Sequence, residues 1–250
     1  LDAAERLLAT GDLPSAREVL DEVGPATGDP REHLVRGHAA FLGGDPRAAR
    51  DALRRAWEAG DDAVASRAAG LMATISANAG RGDRSLEWAR RALARAAPAR
   101  PDAGHAVSML ASAWALEGDL AAGIVEVESW RHQLAGTPGE VDALLGRGLL
   151  ALWTNDLDAA EHLLARVLDL GDDASPLTTA TARYSMADAC YRKGDWDRAL
   201  ALATALARDL DDGDQPLPAP MAHGVAASVL AGRGLVPQAR AHLAAGHRAI

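Results

Sequence analysis

Tyr184, Asp188 and Tyr191 are spaced four and three residues apart, which puts two phenols and a carboxylate on one face of a helix, and Arg192 follows directly. Aromatic and charged groups converging on one face are what a groove for a ligand or a peptide needs. Trp153 lies one structural unit earlier and extends the same set. The competing reading is that Tyr184 and Tyr191 only cover the next layer of the fold, and the residues leave both open.

Other spacings invite chemistry and do not complete it. Gly146-Arg147-Gly148-Leu149-Leu150-Ala151 has the outline of a dinucleotide loop, but it sits within a helical stretch that follows no strand. His33 and His38 are five apart, as are His242 and His247, so neither pair has the i, i+4 spacing that turns two imidazoles toward one zinc. The acidic clusters Asp61-Asp62, Asp172-Asp173 and Asp211-Asp212-Gly213-Asp214 lack the alternating ligands and terminal Glu of a calcium loop and read as solvated charge near helix N-termini. Hydrolysis between two carboxylates would want aromatic sugar platforms, and aromatic residues are 4% of the chain. Cys190 has no His near it in sequence and reads as a core or groove thiol. No cofactor and no metal site is expected, and an enzyme built on a helical toroid is the remote alternative.

Composition narrows the classes. The 250 residues are 48% apolar, enough to fold, and carry a formal charge of −9 with a pI near 5.3. A nucleic-acid duplex or an anionic membrane would be repelled unless a basic stripe were segregated, and none stands out along the chain, so no nucleic-acid contact by this segment and no membrane association are expected. A lone cysteine excludes a disulfide framework and suggests a reducing compartment, with the cytoplasm as the expected location. The chain opens on Leu1 and stops at Ile250 and reads as a piece of a longer protein. Alanine, roughly a quarter of the residues, favours closely packed helices.

The elements that must position these side chains show as a repeat. Gly11-Asp12, Gly44-Asp45, Gly118-Asp119, Asn155-Asp156 and Gly194-Asp195 recur with the degenerate copies Gly80-Arg81 and Gly234-Leu235, at spacings of 33, 36, 38, 37, 39 and 40 residues. Seven residues before each turn stand Ala4, Gly37, Ala73, Ala111, Gly148, Ala187 and Ala227. Five after it stand Ala16, Ala49, Ser85, Gly123, Ala160, Ala199 and Ala239, and nine after it Leu20, Leu53, Ala89, Val127, Leu164, Ala203 and Leu243. Small residues at fixed distances from a turn let two helix axes approach, the turn residue supplies a left-handed conformation, and the following Asp accepts from free amides at the start of the next helix. Breakers separate the units at 24–30, 60–62, 98–101, 136–139, 171–176 and 213–220. The pattern predicts an all-α fold: a right-handed α-solenoid of seven helical hairpins, about fourteen helices, as a single repeat domain over 1–250.

These columns resemble the tetratricopeptide repeat, most closely at Gly194-Asp195-Trp196 with Arg198-Ala199-Leu200. The stretches Ser85-Leu86-Glu87-Trp88-Ala89-Arg90-Arg91-Ala92-Leu93 and Gly44-Asp45-Pro46-Arg47-Ala48-Ala49-Arg50 are similar to the repeat region of large ATP-dependent LuxR-family transcription regulators of high-GC bacteria, such as the maltose-regulon activator. In that family a P-loop ATPase precedes the array and a helix-turn-helix follows it, and neither motif occurs in these residues. The resemblance implies a non-catalytic sensor arm that binds a small-molecule inducer or a protein partner on a concave face lined by the first helix of each hairpin, with homo-oligomerisation possible. A general peptide- or protein-binding scaffold is the alternative. On that face the spacing selects His38, Phe41, Thr74, Asn78, Ser108, Ser112, Trp153, Tyr184, Asp188, Tyr191 and Arg192 as contact candidates. A chaperone-tail clamp is excluded, because Lys193 is the sole lysine.

Overall fold

The computed structural model describes residues 1–24, 28–97, 101–171, 174–212 and 218–248. Of the residues singled out in the sequence, Pro25, Pro98, Asp172, Asp173, Gly213, Asp214 and Ile250 lie outside this set. Among the described residues there are fourteen helices and no strand.

The helices follow one another as the repeat predicts, two around each turn: α1 (Asp2–Thr10) and α2 (Leu13–Val23), α3 (Pro30–Leu42) and α4 (Pro46–Ala59), α5 (Asp62–Asn78) and α6 (Gly82–Arg95), α7 (Pro101–Glu117) and α8 (Leu120–Leu134), α9 (Glu140–Trp153) and α10 (Leu157–Asp169), α11 (Pro176–Lys193) and α12 (Trp196–Asp212), and α13 (Ala219–Gly232) and α14 (Val236–Arg248). Consecutive helices pack on each other from α1 through α8 and again from α10 through α14, and α1, α3, α5 and α7 also touch in order, so first helices form a continuous layer there. This is the layering of a tetratricopeptide-like α-solenoid. The chain divides into two compact units, Leu1–Leu150 and Ala151–Ile250.

All seven turns close in the same way. The amides of Asp12, Asp45, Arg81, Asp119, Asp156, Asp195 and Leu235 each donate to the carbonyl five residues back. That is the closure of a Schellman motif, which requires a left-handed residue just before the donor. Glycine fills that place in six turns, and Asn155, the one non-glycine with positive φ among the described residues, fills the seventh at 63°. The carboxylates of Asp12, Asp45, Asp119, Asp156 and Asp195 then accept from amides two or three residues on. Arg81 has no such acceptor, and α6 starts without a side-chain cap.

Small residues sit where the helices cross. Every residue of the two small columns is buried. A Cβ on Gly37 would lie 2.8 Å from Leu53 Cγ, and one on Gly123 2.8 Å from Trp114 Cβ. Ser85 fits its small column by turning its hydroxyl onto the carbonyl of Ala73 at 3.0 Å, in the partner column. The apolar column is buried from Leu20 through Ala203, whereas Leu243 on the last helix is 58% exposed. The core of the first unit runs through Leu34, Leu53, Met72, Val107, Leu110, Val127 and Leu134 and takes up partly buried Trp57, Trp88, Trp114 and Trp130. That of the second gathers Ala180, Leu206, Ala207 and Leu210 with Tyr184, and Cys190, Ala199 and Val229 with Tyr191 and Trp196.

Candidate functional site

In the first unit the first helices carry a chain of ionic and polar groups across four successive hairpins. Glu5 on α1 receives Arg31 of α3 through one carboxylate oxygen, and Arg67 Nη1 of α5 at 2.9 Å through the other. Arg67 Nε faces Asp102 of α7 at 3.7 Å, and Asp2 makes a further pair with Arg31. Arg67 and Glu5 are partly buried, 36% and 16% exposed, while Asp2 is at the surface. Burial opposes ionisation of Glu5, but its hydrogen bond from Arg31 and the charge and hydrogen bond of Arg67 outweigh it, and its carboxyl is held below the usual range.

His38 and Thr74 belong to this row. His38 is half-buried, and burial, joined by the positive field of Arg67 and by His105, pulls its imidazole down to about 4, so it is neutral at pH 7. Thr74 Oγ1 reaches the Gly70 carbonyl at 3.1 Å, His105 Nε2 at 3.1 Å and Met109 Sδ at 3.3 Å. Arg31, Arg67 and His105 were missed in the sequence, although they form a column of their own: each stands thirteen residues before its turn, two helical turns upstream of the column that holds His38 and Thr74. That regularity was the available signal.

The other candidates of this unit take different places. Phe41 packs against the core around Leu34, Leu53 and Met72. Ser108 is buried at 5% exposure, its Cα facing the point where Gly146 of α9 crosses, and Ser112 Oγ donates to the Ser108 carbonyl at 3.4 Å. Asn78 is exposed near the end of α5.

In the second unit Arg192 is committed to the scaffold. Its guanidinium donates to the Leu152 carbonyl at 2.7 Å and to Asn155 Oδ1 at 2.8 Å, closing the C-terminal end of α9 and the turn after it. Tyr191 stacks on Trp196 of its own hairpin, centroids 6.0 Å apart. Tyr184 packs beside Ala180 and Leu206, and burial pushes its phenol up. Asp188, 3.8 Å from Arg192, is pushed up by burial and partly restored by that arginine. Trp153 is 39% exposed. Tyr191 thus covers its own hairpin, while Asp188 and Trp153 remain at the surface.

No group of three or more His, Cys, Asp or Glu among the described residues is placed to hold a metal ion, and no helix among them is long and apolar enough to cross a membrane. Cys190 is buried, and its thiol is pushed up by desolvation, away from the reactive thiolate form.

Hairpins closed by a left-handed turn and packed on small residues define a helical-repeat protein of tetratricopeptide-like fold. Solved structures of the same fold include PilW, a widely conserved type IV pilus biogenesis factor, at 15% identity and a TM-score of 0.58 over 87% of this chain and 91% of that one. A Rap protein, solved in complex with Competence and Sporulation Factor, matches at 11% identity and a TM-score of 0.64 over 99% of this chain and 75% of that one. At these identities the likeness shows the fold alone. No protein-family model matches the chain, and no curated protein matches it.

Proposed function

We propose that the chain is a non-catalytic scaffold that binds a protein or peptide partner through the first-helix face of Leu1–Leu150, with Arg67 at its centre. One observation carries this reading: Arg67 is held between Glu5 and Asp102 and still leaves 36% of its side chain open to solvent. A guanidinium fixed by two carboxylates loses little further freedom when it donates to a partner's carbonyl or carboxylate. His38, neutral at pH 7, lies in the field of Arg67, and Thr74 stands two helical turns along α5; both add groups suited to peptide backbone, while Asn78 extends the surface toward the turn. The Rap protein of like fold, solved with Competence and Sporulation Factor, and PilW, a biogenesis factor, support a recognition role over a catalytic one. In the second unit Asp188 and Trp153 are the contacts retained.

Selection of peptides from a displayed library, followed by affinity measurement against the wild type and Arg67→Met, tests the reading. A selected peptide should bind Arg67→Met at least about tenfold more weakly, the order of a lost charge-assisted hydrogen bond. Equal affinity for every selected peptide would remove Arg67 from the site.

A finer reading makes the segment the cytoplasmic inducer-sensing arm of an ATP-dependent LuxR-type regulator, with 1–250 as one repeat domain. It is supported by the sequence similarity of residues 44–50 and 85–93 to that family. Sequencing the parent gene on both sides for a P-loop and a helix-turn-helix decides it.

A further inference from the structure

The overall charge of −9 conceals a local reversal. Helices α4 and α6, the second helices of adjacent hairpins, together carry eight arginines against four carboxylates. Arginines 47, 50 and 54 recur at three and four residues along α4, and 84, 91 and 95 recur at seven and four along α6, so each set shares one face of its helix. The basic surface absent from the linear charge pattern is assembled by the fold.

That surface contains a cleft of about 280 Å³. Its floor is Trp57 and Trp88, edge to face with ring centroids 5.8 Å apart. Arg54, Arg84 and Arg91 line it with the acids Glu58 and Glu87. Arg91 lies over the Trp88 ring at 4.6 Å and is paired with Glu87 at 2.7 Å, and Arg95 lies over the Trp57 ring at 5.2 Å and is paired with Asp62. These two cations fix the indoles and are already neutralised. Arg54 and Arg84 differ: both are exposed, and among the described residues neither has a carboxylate partner.

We infer that the cleft between α4 and α6 docks an acidic protein segment, seating one apolar side chain against Trp57 and Trp88 and placing flanking carboxylates on Arg54 and Arg84. The volume suits a side chain, being just under the roughly 300 Å³ at which small-molecule pockets begin. Indole and guanidinium are the groups most often found at the centre of protein interfaces, and the guanidinium fork matches a carboxylate. Glu58 decides against a nucleic acid: a polyanion would have to lay phosphates beside its negative charge, whereas a peptide can space its carboxylates to avoid it. This surface lies on second helices and is separate from the Arg67 face.

The test is fluorescence anisotropy of a labelled, end-blocked hexapeptide alternating glutamate and leucine, with its lysine–leucine counterpart and a single-stranded oligonucleotide as comparison probes. The acidic peptide should bind saturably and weaken as salt is raised, the lysine peptide should not bind, and Arg54→Glu with Arg84→Glu should weaken binding at least about tenfold. Both positions are exposed, and an unchanged helical circular dichroism spectrum shows that the doubly substituted chain is folded. A peptide selected on the first-helix face should bind the doubly substituted chain as it binds the wild type, which keeps the two surfaces distinguishable. The inference is overturned if the acidic peptide fails to saturate below about 1 mM, if the charge reversals do not weaken it, or if the oligonucleotide binds more tightly at the same salt.

Discussion

Leu53 occupies the space that a side chain on Gly37 would need: a Cβ there would stand 2.8 Å from Leu53 Cγ and 3.2 Å from the Leu53 amide nitrogen. The two residues belong to columns seven before and nine after the same turn, so their contact is the hairpin's crossing point. Gly37→Val should therefore destabilise the protein by about 2–3 kcal/mol in urea unfolding, the usual penalty of overpacking. Adding Leu53→Ala should recover part of that loss, giving a coupling of at least about 0.5 kcal/mol in the double-mutant cycle. Strict additivity would mean that the two residues do not share the space.

Caps should rank the turns. Asp45 accepts from the amides of Arg47 and Ala48, and Asp45→Ala should cost about 1 kcal/mol. Arg81 holds nearly the same backbone angles, φ −102° against −108°, without an acceptor. Arg81→Asp should add about 0.5–1 kcal/mol by the same measurement, since it supplies the carboxylate that this turn lacks.

His38 makes stability depend on pH in a defined window. Its folded value of about 4 lies below the ordinary 6.5, so the unfolded chain binds the proton more readily. The stabilisation is complete above pH 6.5, is lost as pH falls toward 4, and changes no further below that; its size is at most about 3 kcal/mol. Unfolding curves of wild type and His38→Gln should converge in slope outside this window and differ within it, the wild type showing the steeper loss. Glu5, held low by Arg31 and Arg67, is shifted in the same sense in a more acidic window: its stabilisation is present above the normal carboxylate range and is lost at more acidic pH.

Arg192 should behave as a scaffold residue. Removing its bonds to the Leu152 carbonyl and Asn155 leaves the end of α9 uncapped, and Arg192→Ala should destabilise by about 1–2 kcal/mol. Peptides selected on the wild type should keep their affinity for the folded variant, in contrast to Arg67→Met.

The fold was legible because the turns announce themselves: a Gly-Asp pair followed at fixed distances by small and apolar residues determines where one helix ends and how near the next can lie. Even Asn155, where glycine is missing, was placed correctly by the register. The surface was harder to read. Arg192 was taken for a ligand group, and its principal partner turned out to be a main-chain carbonyl forty residues away, which no side-chain pattern reveals. Ser108, polar and on a first helix, is buried because α9 crosses over it at Gly146. Arg67 escaped because the columns nearest the turns were read while the one two helical turns upstream was not. The basic face of α4 and α6 was hidden by a net charge of the opposite sign, since only packing reveals which arginines lie together.

A recognition surface on the first-helix face of Leu1–Leu150 should be visible residue by residue in solution. Backbone amide chemical-shift mapping on the full chain, titrated with a peptide selected from the library, tests it most directly. The largest perturbations should cluster on α3, α5 and α7 around His38, Arg67, Thr74 and His105, and should vanish with Arg67→Met. Perturbations confined to other helices, or unchanged by that substitution, would contradict it.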